Sequence, residues 1–136
     1  MLIRPKGAPV VTLETLGEGR LALADPDSVP AGRYARAALE TMGLWQDLAD
    51  NVVPTENVRA ALALVERGKV ELGIVYVSDA LASDRVEEVE FLPEASYPPI
   101  RYPAAIVAGS GHPDSAAFNA FLQSDAGMDI FVAHGF

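Results

Sequence analysis

Serine, histidine and carboxylate side chains could do chemistry here, but their spacing argues against catalysis. A hydrolase serine needs a Gly-x-Ser-x-Gly elbow between a strand and a helix, and no such motif occurs. Ser110 stands between Gly109 and Gly111, a composition that predicts a turn. His112 precedes Pro113 and His134 precedes Gly135; both read as helix-end residues, without the neighbouring carboxylates a metal site would need. Glu87, Glu88 and Glu90 read as a solvated charge run on a strand, not as an acid–base pair. No Walker or dinucleotide glycine pattern is present. With no cysteine, thiolate zinc sites, disulfides and cysteine nucleophiles are excluded. The chain is expected not to be an enzyme and to carry no cofactor.

Backbone chemistry is better provided for. Helix N-termini carry unpaired N–H groups that bind anions, and in open α/β sheets they gather outside the carboxyl ends of the strands. Two helix starts follow short apolar strands: Ser28-Val29-Pro30-Ala31-Gly32 and Pro54-Thr55-Glu56-Asn57-Val58. Ala31 and Gly32 have small side chains that would let an oxyanion approach the backbone. Val58 has no polar side chain, so any part it plays must use its N–H. Arg33, Arg36 and Arg59 lie on the same helices and are read as surface residues.

The elements that must position these groups alternate between strand and helix. Arg20–Ala24 is a short apolar strand, stopped by Asp25-Pro26-Asp27-Ser28. Pro30 suits the first turn of a helix, with Tyr34, Ala37, Ala38 and Met42 at helical spacing and Gly43 as its stop. Val52-Val53 is a brief strand ending before Pro54. Thr55 or Asn57 can cap the next helix, whose apolar face is Val58, Ala61, Leu62 and Val65 and whose stop is Gly68. Leu72–Val77 is continuously apolar, as in a strand buried on both faces. A helical turn over 78–82, a strand marked by Val86, Val89 and Phe91, and a strand over 100–107 follow. Pro103 puts that last strand at an edge or a bulge. Helices over 114–123 and 125–134 close the chain. The alternation predicts an α/β fold with a largely parallel sheet flanked by helices, and the Pro-rich stretch from Pro93 to Pro103 is the one candidate boundary.

Composition bounds the partners. The 136 residues suit one domain, half of them are apolar, and a net charge of −9 argues against a reader of nucleic-acid phosphates. No apolar run approaches the ~20 residues that span a bilayer. Met1–Ile3 reads as the end of a strand already under way, so the chain is expected to be the later part of something longer.

Three segments then carry a resemblance: Asp25-Pro26-Asp27-Ser28-Val29-Pro30-Ala31-Gly32-Arg33-Tyr34-Ala35, Glu56-Asn57-Val58-Arg59-Ala60-Ala61-Leu62-Ala63-Leu64-Val65-Glu66, and Leu72-Gly73-Ile74-Val75-Tyr76-Val77-Ser78-Asp79-Ala80. In order and spacing they resemble the substrate-binding proteins of molybdate ABC importers, as does the tail from Tyr102-Pro103-Ala104-Ala105-Ile106-Val107 to Gly135-Phe136. The resemblance implies one lobe of a type II periplasmic-binding-protein fold spanning 1–136. Its core would cover about 10–99, its hinge strands about 1–5 and 100–108, and its C-terminal helices 113–136. It implies a periplasmic protein that binds molybdate or tungstate through the N–H groups of Ala31 and Val58 and the hydroxyl of Tyr76. Read alone, Tyr76 is a core aromatic. The membrane permease of an ABC importer is the implied partner. By the same resemblance, the family's first lobe and its two oxyanion-binding serines are absent. The chain would therefore bind weakly by itself and self-associate through exposed apolar helix faces. The alternatives are the effector-sensing domain of a LysR-type transcription regulator, which shares the fold, and a sulfate- or phosphate-binding protein.

Overall fold

The computed structural model describes residues 1–136 and divides into two compact units, Met1–Pro99 and Ile100–Phe136. The division falls inside the proline-rich stretch.

The first unit is built on a five-stranded sheet. Its strands are β1 (Leu2–Pro5), β2 (Leu21–Ala24), β3 (Val52–Thr55), β4 (Leu72–Ile74) and β5 (Val86–Glu90), in the spatial order β3-β2-β4-β1-β5. β2 pairs in parallel with β3 on one side and β4 on the other, while β1 runs antiparallel to both β4 and β5. The α/β architecture is the expected one, and its sheet is mixed. Only the strands joined through helices share a direction, because a parallel pair needs a crossover connection.

Alternation along β2 splits the core into two layers. Leu21 and Leu23 point to one face, where Leu2, Leu72 and Ile74 meet Ala35, Ala38 and Leu39 of helix α1 (Pro30–Thr41). Ala22 points to the other, where Ile3, Val70 and Val86 meet Ala61 and Val65 of helix α3 (Val58–Glu66). A short helix α2 (Trp45–Leu48) follows α1, and α4 (Val77–Leu81) follows β4. α3 ends as expected at Gly68, whose φ of 60° suits glycine. There the Gly68 N–H donates to Val65 O at 2.9 Å and the Lys69 N–H to Leu64 O at 3.0 Å, the paired bonds of a Schellman stop.

Several sequence expectations need correction. Leu2 and Ile3 are fully buried, so β1 belongs to the core that was expected to begin near residue 10. Pro54 does not end β3 but lies inside it, opposite Leu23; β3 is an edge strand, where a missing N–H costs no ladder bond. β4 is shorter than the apolar run that announced it, because Tyr76 already caps α4. α1 buries Gly32, Ala35, Ala38 and Leu39; of the expected face of Tyr34, Ala37, Ala38 and Met42, Ala38 is fully buried and Met42 packs partly against the same layer, while Tyr34 packs edge-on to Tyr97 at 6.4 Å. The glutamates of β5 are not uniformly solvated. Glu87 pairs with Arg4 at 2.6 Å, opposite it in register, and Glu90 Oε1 is buried.

The second unit carries α5 (Ser115–Leu122) and α6 (Asp125–Ala133). Ser124 joins them, accepting the Gly127 N–H at 3.2 Å and donating to Phe121 O at 2.7 Å. Phe136 closes edge-to-face on Tyr102 at 5.3 Å and on Phe131 at 6.0 Å. Residues 100–107 form no strand, contrary to expectation. Both histidines sit at helix ends. His112 Nδ1 accepts the Asp114 N–H at 3.2 Å, and His134 caps α6 with Nδ1 2.8 Å from Ile130 O. Ser110 lies in the expected turn, 3.1 Å from the Ser115 hydroxyl.

Candidate functional site

Three adjacent parallel strands, β3-β2-β4, end on one edge of the sheet, and each is followed there by a helix start. α1 leaves β2 toward one face and α3 leaves β3 toward the other. β2 and β3 therefore flank a topological switch point, the place where open α/β sheets form a crevice. Two bonds hold the strand ends together: the Asp25 N–H donates to Thr55 O at 2.8 Å, and the Thr55 hydroxyl to Leu23 O at 3.2 Å.

The start of α1 is shaped by backbone alone. Its N-cap, Val29, has no capping side chain, and Pro30 has no N–H to satisfy. Arg33 N–H bonds back to Val29 O at 3.0 Å. The N–H groups of Ala31 and Gly32 are thus left unclaimed in the first turn. Ser28 does not cap the helix; its hydroxyl donates to Asp25, which also accepts the Asp27 N–H at 3.0 Å. These two bonds, with the charge of Arg33, hold the Asp25 carboxyl below its ordinary range. Gly32 serves packing rather than ligand access. A Cβ there would lie 2.1 Å from Ala24 O and 2.4 Å from Asp25 O, so only glycine lets α1 press on the end of β2.

The start of α3 has a conventional cap. Asn57, extended at φ −161° and ψ 168°, accepts the Ala60 N–H on its side chain at 2.9 Å, and its own carbonyl takes the Ala61 N–H at 3.3 Å. Thr55 does not compete for this role, since its hydroxyl is spent on Leu23 O and Asn57 O. Val58 and Arg59 keep unclaimed N–H groups.

Tyr76 is the N-cap of α4, immediately after the buried end of β4. It is half-buried, and its carbonyl takes the Ala80 N–H at 3.2 Å. Its companion is Asp79, which the sequence alone does not single out as a site residue. This carboxylate in the first turn of α4 has its Oδ2 buried without a hydrogen-bond partner. Burial pushes the Asp79 carboxyl above its ordinary value, against the opposing pull of the Tyr76 backbone N–H and the Arg59 charge. An acidic residue three positions after a helix cap is the one signal that could have found it.

The fold thus brings Ala31, Val58 and Tyr76 to the ends of three neighbouring strands on a single sheet edge. The donors there are neutral backbone groups reinforced by two helix dipoles, each equivalent to about half a positive charge. Arg33 and Arg36 are engaged elsewhere: Arg33 with Asp27 O at 3.0 Å, and Arg36 with Asp27 at 3.1 Å, Glu40 at 2.8 Å and the face of Trp45 at 5.0 Å. No group of three or more histidine, cysteine or carboxylate side chains could hold a metal cation. An arrangement of this kind can solvate an anion through N–H donors.

Comparison with known proteins bears on which anion. A sequence profile of the bacterial extracellular solute-binding proteins matches residues 1–136. The molybdate-binding protein ModA of Escherichia coli (strain K12) is 46% identical over 121 residues, 89% of this chain and 47% of that protein. The putative ABC transporter substrate-binding lipoprotein YvgL of Bacillus subtilis (strain 168) is 39% identical over 140 residues, spanning 100% of this chain and 54% of that one. Among solved structures, the substrate binding domain of a putative molybdenum ABC transporter from Clostridium difficile superposes with a TM-score of 0.86 at 32% identity, over 98% of this chain and 60% of that one. The chain spans about half the length of the curated relatives it matches.

Proposed function

The chain belongs to the bacterial extracellular solute-binding proteins, and from that membership we propose that it binds molybdate or tungstate at the β3-β2-β4 edge for delivery to the membrane permease of an ABC importer. The ligands are the N–H groups of Ala31 and Val58 and the hydroxyl of Tyr76. The reading is supported by the start of two helices, one on each face of the sheet, after the ends of the adjacent strands β2 and β3. Relatives named for molybdate binding support the choice of anion. The role is binding rather than catalysis, and its setting is outside the cytoplasmic membrane, where relatives described as extracellular or as lipoproteins act. No helix is long and apolar enough to cross a membrane.

Donors without acceptors favour a fully deprotonated tetrahedral anion, because a protonated one would bury an O–H with no partner. The protein's charge of −9 does not forbid this, since charges farther than about 10 Å are largely screened at physiological salt. Hydrogen bonds to a charged group are worth about 1.5–3 kcal/mol each. Three of them sum to about 4.5–9 kcal/mol and leave at most about 5 kcal/mol once an association cost of at least about 4 kcal/mol is met, which corresponds to a dissociation constant no tighter than about 0.2 mM for this 136-residue chain. Calorimetric titration with molybdate, tungstate, sulfate and phosphate at matched ionic strength tests the proposal. Saturable heats from the first two, and weaker ones from the others, are expected. Equal responses to all four, or none, would overturn it.

A further inference from the structure

Tyr76 must present its hydroxyl from the turn between β4 and α4, and no side chain of its own caps that turn. We infer that Asp79 is the positioning residue for Tyr76, its carboxylate taking the Tyr76 backbone N–H and so fixing the direction from which the phenol leaves the sheet edge. The inference rests on the oxyanion reading above and deepens it, since nothing in that reading requires an acidic residue beside an anion site.

Three features of the structure converge on Asp79. It stands in the first turn of α4, three residues after the cap, where an acidic side chain can reach back to the cap N–H. The Tyr76 backbone N–H draws the Asp79 carboxyl down against the effect of burial, in the direction a donor facing that carboxylate would act. Its second oxygen is buried and has no partner, which a protein does not tolerate without compensation. A carboxylate kept at such a place, close to where a dianion would sit, works against both stability and anion affinity. Holding Tyr76 at φ −72° and ψ 156° accounts for its retention. The Arg59 charge offsets part of the repulsion; it sits on the first turn of α3, beside Val58.

The test combines a ligand-free measurement with a double-mutant cycle. In the 136-residue chain, amide hydrogen exchange should show Tyr76 losing at least about tenfold protection in Asp79→Ala and keeping it in Asp79→Asn, whose side-chain oxygen still accepts. In molybdate titrations, Asp79→Ala should weaken binding about tenfold in the parent and less than about twofold in a Tyr76→Phe background, with Asp79→Asn binding as tightly as the parent or more tightly, since it loses the opposing charge and keeps the acceptor. Unchanged Tyr76 exchange in Asp79→Ala overturns the inference whatever the ligand does. So does an Asp79→Ala effect of the same size in both backgrounds. If Tyr76→Phe binds molybdate as the parent does, the site reading falls and this inference with it. If Asp79→Ala does not fold, Asp79→Asn decides: loss of Tyr76 protection in that variant contradicts the assignment.

Discussion

An alanine at position 32 would drive its Cβ to 2.1 Å from Ala24 O, a clash with backbone that no side-chain rotation relieves. Gly32→Ala is expected to lower stability by about 3 kcal/mol, read as a lower urea midpoint with an unchanged slope. Asp79 carries a prediction with the opposite sense. Its folded pKa is raised above the ordinary 3.8 by burial, so between the two values the folded chain holds more protons than the unfolded one. Stability contributed by this group is therefore greatest in acid and declines as pH rises from about 3.8 through the folded value. Asp79→Asn has no charge to bury. Its stability relative to the parent should grow over that window in denaturation curves taken from pH 3.5 to 7, and a difference independent of pH would contradict the assigned environment. At this scale the sequence was only partly legible. Val-Pro-Ala-Gly announced a helix start with free N–H groups, but the use of Gly32 depends on where the end of β2 lies, which no local pattern encodes. Asp79 is not singled out because its significance depends on a burial that sequence does not display.

Helix starts are the elements on which the account depends, and α3 permits a clean perturbation. Val58 is its first residue, and the extended Asn57 before it has the backbone that proline prefers in its predecessor. Val58→Pro removes one N–H at a position where proline is favoured, and it gives up part of a half-buried side chain. Stability should change by about 1 kcal/mol or less, whereas molybdate affinity should fall about 10- to 150-fold, the worth of one hydrogen bond to a charged group. Equal affinity in calorimetry would remove Val58 from the site. Most elements were readable because their signals are local: Asn57 as a cap, Gly68 as a stop, Pro30 in a first turn. The failures came from context. The apolar run over 72–77 continues past the end of β4 because Val75, Tyr76 and Val77 pack at the strand end and the next helix start. The segment 100–107 reads as a strand from its apolar composition but forms none, because composition alone does not supply the ladder that makes a strand.

Over the whole molecule, apolar surface is unevenly distributed. In the second unit Phe118, Phe121, Met128, Ile130, Val132 and Phe136 are all more than two-fifths exposed, and Gly127 is its one buried residue. Contiguous apolar patches beyond a few hundred Å² are uncommon on monomers, so the chain is expected to self-associate in a concentration-dependent way. Light scattering that returns a monomer mass at high concentration would contradict this. The sequence does not show that the terminal helices lack a core, because their apolar spacing is that of ordinary buried helices. The central claim is that an oxyanion sits on the β3-β2-β4 edge, and amide NMR of the 136-residue chain titrated with molybdate tests it most directly. The account predicts that the Ala31 and Val58 amide resonances shift together and saturate with one dissociation constant, no tighter than about 0.2 mM, with Gly32 and Arg59 following. Shifts confined to α5 and α6, or no saturable change at Ala31 and Val58 up to about 20 mM molybdate, would contradict it.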